Sequence, residues 1–173
     1  MEEKYAVPQF NINNMEILQA IINAAKKENA PIILGVTKGA IEYAGLDYIK
    51  AMVKVASKEK IEMALHLDHG TDMDIIILCI KNGFTSIMID ASAYDFEKNV
   101  KMTKEVVKLC HPKKISVEAE LGKLKGVEDN VNVEKGIYAD PDEAARFVEE
   151  TKVDYLAAAI GTSHGAYKFK GEA

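Results

Sequence analysis

Short apolar runs alternate along this chain with longer stretches in which apolar positions recur every three or four residues. The runs Tyr5–Asn11, Pro31–Val36, Glu62–Asp68, Ser86–Asp90, Ser116–Glu120 and Tyr155–Ile160 predict six strands. Between them Ile17, Ile21 and Ala25 mark a first helix and Ile49, Val53 and Ala56 a second. Residues 75–80 supply a third, and Phe96, Val100, Val107 and Cys110 a fourth. Asn82-Gly83 is a stop signal for the third helix. Asp140-Pro141 sets an oxygen acceptor ahead of a first-turn proline and so starts another. Strands that are apolar nearly throughout are buried on both faces, and strands of that kind each followed by a helix form a parallel sheet covered by helices. The expected class is α/β.

Two closures suit such a series. A doubly wound sheet that carries a dinucleotide has Gly-x-Gly-x-x-Gly after its first strand, whereas the turn here is Asn11-Ile12-Asn13-Asn14. A (β/α)8 TIM barrel gathers polar residues at the carboxyl ends of many different strands. Asn11, Thr37, Asp68 with His69, Asp90, Glu120 and Gly161 to His164 end the six runs here. A βα unit takes about 30 residues and a complete barrel about 250. The expected fold is therefore the TIM-barrel type, with residues 1–173 forming a single incomplete barrel domain that holds about six of the eight units. No Pro/Ser-rich linker, low-complexity tract or repeat divides it.

Charge and composition narrow the function classes. The net charge of −5, with no basic cluster, argues against a nucleic-acid surface. No apolar run approaches the roughly 18 residues of a membrane span. Met1-Glu2-Glu3-Lys4 is acidic where a signal peptide would be positive and then apolar. Cys79 in an apolar helical run and Cys110 at a helix end fit small core residues of a reducing compartment better than a disulfide framework. The cytoplasm is the expected location.

Candidate chemistry concentrates at three places. His66-Leu67-Asp68-His69-Gly70 puts two imidazoles and a carboxylate together at a strand end. Residues two apart share a face of a strand, so His66 and Asp68 point one way, while His69 sits where strand becomes loop. A strand-end histidine is often only a hydrogen-bonded structural residue. Three such groups in a chain with four histidines point instead to a metal or acid–base site.

The second place is Val117-Glu118-Ala119-Glu120-Leu121-Gly122, where the two glutamates share a face. On a solvated edge they are ordinary surface charges; on a covered strand they need a cation to stay charged. Residues 122–139 then show little helical or strand signal and read as a long loop, either a functional lid or disordered. Glu128 near its middle is either a swinging acid or base or a solvent-facing charge. The third place, Ala158-Ala159-Ile160-Gly161-Thr162-Ser163-His164-Gly165, surrounds His164 with small residues that let backbone and ligand approach closely. Zn²⁺ takes imidazole nitrogen and carboxylate oxygen, and a catalytic centre keeps an open position beside three protein ligands. His69, His164 and Glu120 would supply them from three strands.

In this order the three motifs resemble those of the class II, zinc-dependent ketose-bisphosphate aldolases. The opening Tyr5-Ala6-Val7-Pro8-Gln9-Phe10-Asn11-Ile12-Asn13-Asn14 is similar to that family's start, so the resemblance runs the length of the chain. Gly161-Thr162-Ser163-His164-Gly165-Ala166-Tyr167-Lys168-Phe169 looks most like the fructose-bisphosphate branch, with tagatose-bisphosphate aldolase the near relative. The resemblance implies a glycolytic lyase that cleaves fructose 1,6-bisphosphate to dihydroxyacetone phosphate and glyceraldehyde 3-phosphate. It further implies a homo-oligomer holding Zn²⁺, with a second or a monovalent cation as companion.

By position, Asp68 resembles the catalytic aspartate that moves the proton at the C4 hydroxyl, and Glu128 the loop glutamate that exchanges a proton on dihydroxyacetone phosphate. His69 and His164 resemble zinc ligands, and Glu120 the glutamate that binds zinc lying deeper in the barrel. Asn11, Thr37 and Gly165 match substrate-binding positions. The family carries a further zinc-binding His-Gly after its seventh strand, and phosphate-binding small residues there and after the eighth, all of which would fall beyond Ala173. A second expectation follows from that, a non-catalytic fragment whose open sheet edges drive self-association.

Overall fold

The computed structural model describes residues 5–123, 126–128, 131–133 and 136–161. The chain divides into two compact units, Met1–Ile87 and Met88–Ala173.

The first unit contains β1 (Gln9–Asn11), α1 (Met15–Glu28), β2 (Ile32–Thr37), α2 (Lys38–Ala44), α3 (Leu46–Ala56), β3 (Met63–Gly70), α4 (Met73–Lys81) and the start of β4 (Ser86–Ile89). β1 pairs parallel with β2, and β2 with β3. That register sets Asn11 opposite Gly35, Gly35 opposite His66, and Thr37 opposite Asp68. β2 is buried over nearly all its length and β3 over most of it, as expected of a sheet covered on both faces.

Side-chain caps fix where the helices of this unit begin. Asn14 Oδ1 accepts from the Ile17 N–H at 2.9 Å, Thr37 Oγ1 from Ala40 at 3.1 Å, and Asp72 Oδ1 from Ile75 at 2.9 Å. Each satisfies a donor that a first helical turn leaves unpaired. α4 ends where the sequence predicts, with Asn82 at its cap and Gly83 at φ 84°. α1 differs from expectation by one step in phase. Its buried residues are Leu18, Ile22 and Ala25, while Ile17 is exposed. Both stripes have helical spacing, so periodicity could not choose between them. α2 also went unpredicted, being too short for its period to show.

The second unit contains the end of β4, α5 (Phe96–Cys110), a 3₁₀ turn (His111–Lys113), β5 (Ser116–Leu121), β6 (Gly126–Glu128), β7 (Val131–Val133), α6 (Pro141–Thr151) and β8 (Tyr155–Ala158). β4, β5 and β8 are successive in the hydrogen-bonded order, and β5 runs parallel to β8 with Glu120 opposite Ala157. Asp154 ties the two together: its Oδ2 accepts from the Val117 N–H at 2.7 Å and lies 3.0 Å from His111 Nε2. α6 packs on α5 through an edge-to-face Phe96–Phe147 pair with centroids 5.9 Å apart. Asp140 caps α6 ahead of Pro141, as the sequence predicts.

The stretch expected to be a long loop contains two short strands. β6 and β7 pair antiparallel, Gly126 with Val133, and Lys123 bridges Ile137. Three-residue strands are too short for alternation to be read in advance. Gly122 opens this excursion at φ 79°, where an added Cβ would lie 2.6 Å from the Ile137 carbonyl oxygen and 2.8 Å from Ala159 Cβ. Only glycine fits there.

Cys79 and Cys110 are buried and free, and burial pushes their thiols up to about 12 and about 11. They are unreactive packing residues, as expected. Among the described residues no helix is long and apolar enough to cross a membrane.

Candidate active site

In the first unit the polar groups stand at the carboxyl ends of β1, β2 and β3. His66 is 2% exposed and Asp68 7%, so the run that opens with Leu65 carries two buried polar side chains. His66 Nδ1 lies 2.8 Å from Ser86 Oγ. Burial lowers its pKa to about 4; Asp68 pulls the other way and His69 adds slightly to the fall. His66 is therefore a neutral imidazole near pH 7.

β3 does not stop at Asp68 but runs on to Gly70, with His69 in the left-handed region at φ 49°. A non-glycine residue held there costs about 1–3 kcal/mol and is a recurrent feature of functional sites. The strand's two-residue alternation is broken at a residue that the sequence singles out as a ligand.

Asp68 Oδ2 accepts a hydrogen bond from Asn11 Nδ2 at 2.8 Å. Thr37, opposite Asp68 in the ladder, spends its hydroxyl on capping α2. Asn11, Thr37, Asp68 and His69 thus gather at neighbouring strand ends, with Asn11 and Asp68 in direct contact.

In the second unit Asp90 follows β4 directly, and its Oδ1 accepts from the Ser92 N–H at 3.1 Å and the Ser92 hydroxyl at 2.7 Å. Burial alternates strictly along β5, which leaves Glu118 and Glu120 half-exposed on one face, as expected. The Glu120 carbonyl accepts from Asn99 Nδ2 at 2.8 Å, and Thr103 donates to Asn99 Oδ1 at 3.2 Å. This buried amide anchors β5 to α5. Asp90 and Glu120 each offer a carboxylate oxygen within 4.8 Å of the other. Two carboxylates that close repel when both are charged, and a hard or borderline cation between oxygen donors relieves the repulsion.

Asp90 is the residue that sequence reasoning noted as a strand end but left out of the site. Its signal was there to read: like Asp68, it closes an apolar strand, and β4 is buried at all four positions. Glu128 lies on β6 with its side chain outside the described residues, and His164 and Gly165 also lie outside them.

Comparison with known proteins fits this arrangement. The family model "Fructose-bisphosphate aldolase class-II" matches residues 1–173. The fructose-bisphosphate aldolase of Helicobacter pylori is 50% identical over 175 aligned residues, which cover 99% of this chain and 57% of the relative. That of Thermus caldophilus is 47% identical, covering 98% and 56%. The crystal structure of the YdjI aldolase from Escherichia coli K12 superposes with a TM-score of 0.82 at 41% identity, covering 92% of this chain and 58% of that one. The chain therefore spans a little over half the length of the relatives it matches. Its fold is α/β of the TIM-barrel type, with about six of eight units represented. By the match along its whole length, the chain belongs to the class II fructose-bisphosphate aldolase family.

Proposed function

We propose that this chain carries the proton-handling aspartate and most of the metal ligands of an enzyme that reversibly cleaves fructose 1,6-bisphosphate to dihydroxyacetone phosphate and glyceraldehyde 3-phosphate. The observation that carries the reading is the family match over residues 1–173, taken together with the burial of Asp68 at the end of β3. In this reading His69, Glu120 and His164 hold Zn²⁺, and Asp90 is a further oxygen donor. The chemistry of the set supports it, since the Asp90 and Glu120 carboxylates lie within 4.8 Å of each other and imidazole with carboxylate suits zinc. When bound, the ion supplies Lewis-acid polarisation of the substrate's C2 carbonyl.

The chain's own residues do the rest. Asp68 takes the proton from the C4 hydroxyl as the C3–C4 bond breaks, and returns it in condensation. A carboxylate already fixed by a hydrogen bond loses little freedom at that moment. His66, neutral near pH 7, adds no charge beside it. Glu128 exchanges the proton on C3 of dihydroxyacetone phosphate, and Thr37 and Gly165 contact the substrate. No Schiff-base lysine is required. The enzyme works on small sugar phosphates in the cytoplasm as a homo-oligomer.

The test is cleavage of fructose 1,6-bisphosphate before and after chelation. We expect activity to vanish with the metal and return with Zn²⁺. Activity that survives chelation and is trapped by borohydride, or cleavage confined to tagatose 1,6-bisphosphate, would reject the proposal.

A further inference from the structure

Asn11 and Asp68 belong to strands that are not neighbours. β1 and β3 flank β2, and strands lie about 4.8 Å apart, so the two backbones are separated by roughly twice that. For its Nδ2 to stand 2.8 Å from Asp68 Oδ2, the Asn11 side chain must lie flat across β2. The residue it crosses is Gly35, its partner in the ladder. A Cβ on Gly35 would sit 2.6 Å from Asn11 Oδ1, nearer than such atoms approach. Gly35 is not there for backbone freedom, because its φ lies outside the left-handed range in which L side chains are strained. Glycine inside a strand weakens it and marks places where another group approaches closely. Here that group is the Asn11 amide.

We propose that Asn11 is a positioning residue for Asp68 and that Gly35 is the clearance which lets it reach. The amide holds one carboxylate oxygen and leaves the other for the substrate's hydroxyl. This rests on the reading of Asp68 as the group that moves the C4 proton. It differs from the family resemblance in giving Asn11 a role that needs no contact with substrate.

Gly35→Ala tests it without removing any polar group. Asn11 is exposed, so the displaced amide can swing aside and the strand can still form. On metal-loaded protein, Gly35→Ala, Asn11→Ala and Asn11→Asp should each lower kcat for fructose 1,6-bisphosphate cleavage by about tenfold to 10²-fold, the scale of a small misplacement of a reacting group. KM should stay within about twofold and metal content should not change. Because both changes break one contact, Gly35→Ala with Asn11→Ala should be no slower than Asn11→Ala alone. Losses that multiply, a Gly35→Ala variant at wild-type kcat, or a raised KM at unchanged kcat would overturn the proposal.

The Asn11 side-chain amide in a ¹H–¹⁵N spectrum gives a readout free of activity. One Nδ2 proton should resonate downfield through its charge-assisted bond and lose that shift in both Gly35→Ala and Asp68→Ala. An amide indifferent to either change overturns the positioning role. If the amide responds but the wild type cleaves no fructose 1,6-bisphosphate, the contact stands and the aldolase reading falls.

Discussion

The carboxyl end of β3 and the carboxyl ends of β4 and β5 are both rich in charge-bearing residues, yet they solve the problem of charge differently. At β3 the groups are buried and each is settled individually: His66 is kept neutral and set against Ser86, and Asp68 is bound by Asn11. At β4 and β5 two half-exposed carboxylates, Asp90 and Glu120, are brought within 4.8 Å of each other. The first arrangement suits a group whose proton must move to and from one defined atom. The second suits a cation, because two carboxylate oxygens that close offer hard donors to one ion. In the proposed function, then, the proton falls to buried Asp68 and the metal's carboxylate donors are the half-exposed Asp90 and Glu120.

The largest effect that could break this contrast comes from neutralising the second region. Asp90→Asn with Glu120→Gln should weaken Zn²⁺ binding by more than the about 10–100-fold that loss of a mere outer-shell partner costs, read by competition with a chromophoric chelator. Unchanged zinc affinity would make these ordinary surface charges.

A smaller effect sharpens the description of β3. An unfolded histidine titrates near 6.5 and His66 near 4. Between those values the unfolded chain binds a proton that the folded chain refuses, so stability falls as pH drops through that window. The gap of about 2.5 pH units at about 1.4 kcal/mol per unit amounts to about 3–4 kcal/mol in all. Urea unfolding from pH 7 to pH 4 should show the decline in the wild type and a shallower one in His66→Gln. Equal slopes would place the titrating group elsewhere.

Smallest is the anchor beneath Glu120. Asn99→Leu removes a buried amide bonded to the Glu120 carbonyl and should cost about 1–3 kcal/mol in denaturant unfolding. A neutral change would show that α5 does not hold β5.

Much of this was legible in the chain because the fold's signals are local. Apolar runs, Asp140-Pro141 and Asn82-Gly83 fixed the expected elements, and Asp68 and His69 stood out because imidazole and carboxylate seldom crowd one strand end. What escaped reading depends on contacts distant in sequence. The phase of α1 is decided by which of two apolar stripes meets the sheet. The β6–β7 pairing needs a partner strand to exist. Asn99 looks like a flaw in the apolar stripe of α5 until the Glu120 carbonyl, 21 residues on, is seen to receive it. The division of labour between Asn11 and Gly35 is likewise invisible until β1, β2 and β3 lie side by side.

Zinc content and turnover measured on one sample of metal-loaded Asp68→Ala test most directly whether the proton and the metal are handled separately. Zinc should stay at the wild-type level while aldol cleavage falls by about 10²–10⁴, the usual worth of a general acid–base group. A variant that loses zinc and turnover together would make Asp68 part of the metal's own support and erase the distinction between the two strand ends.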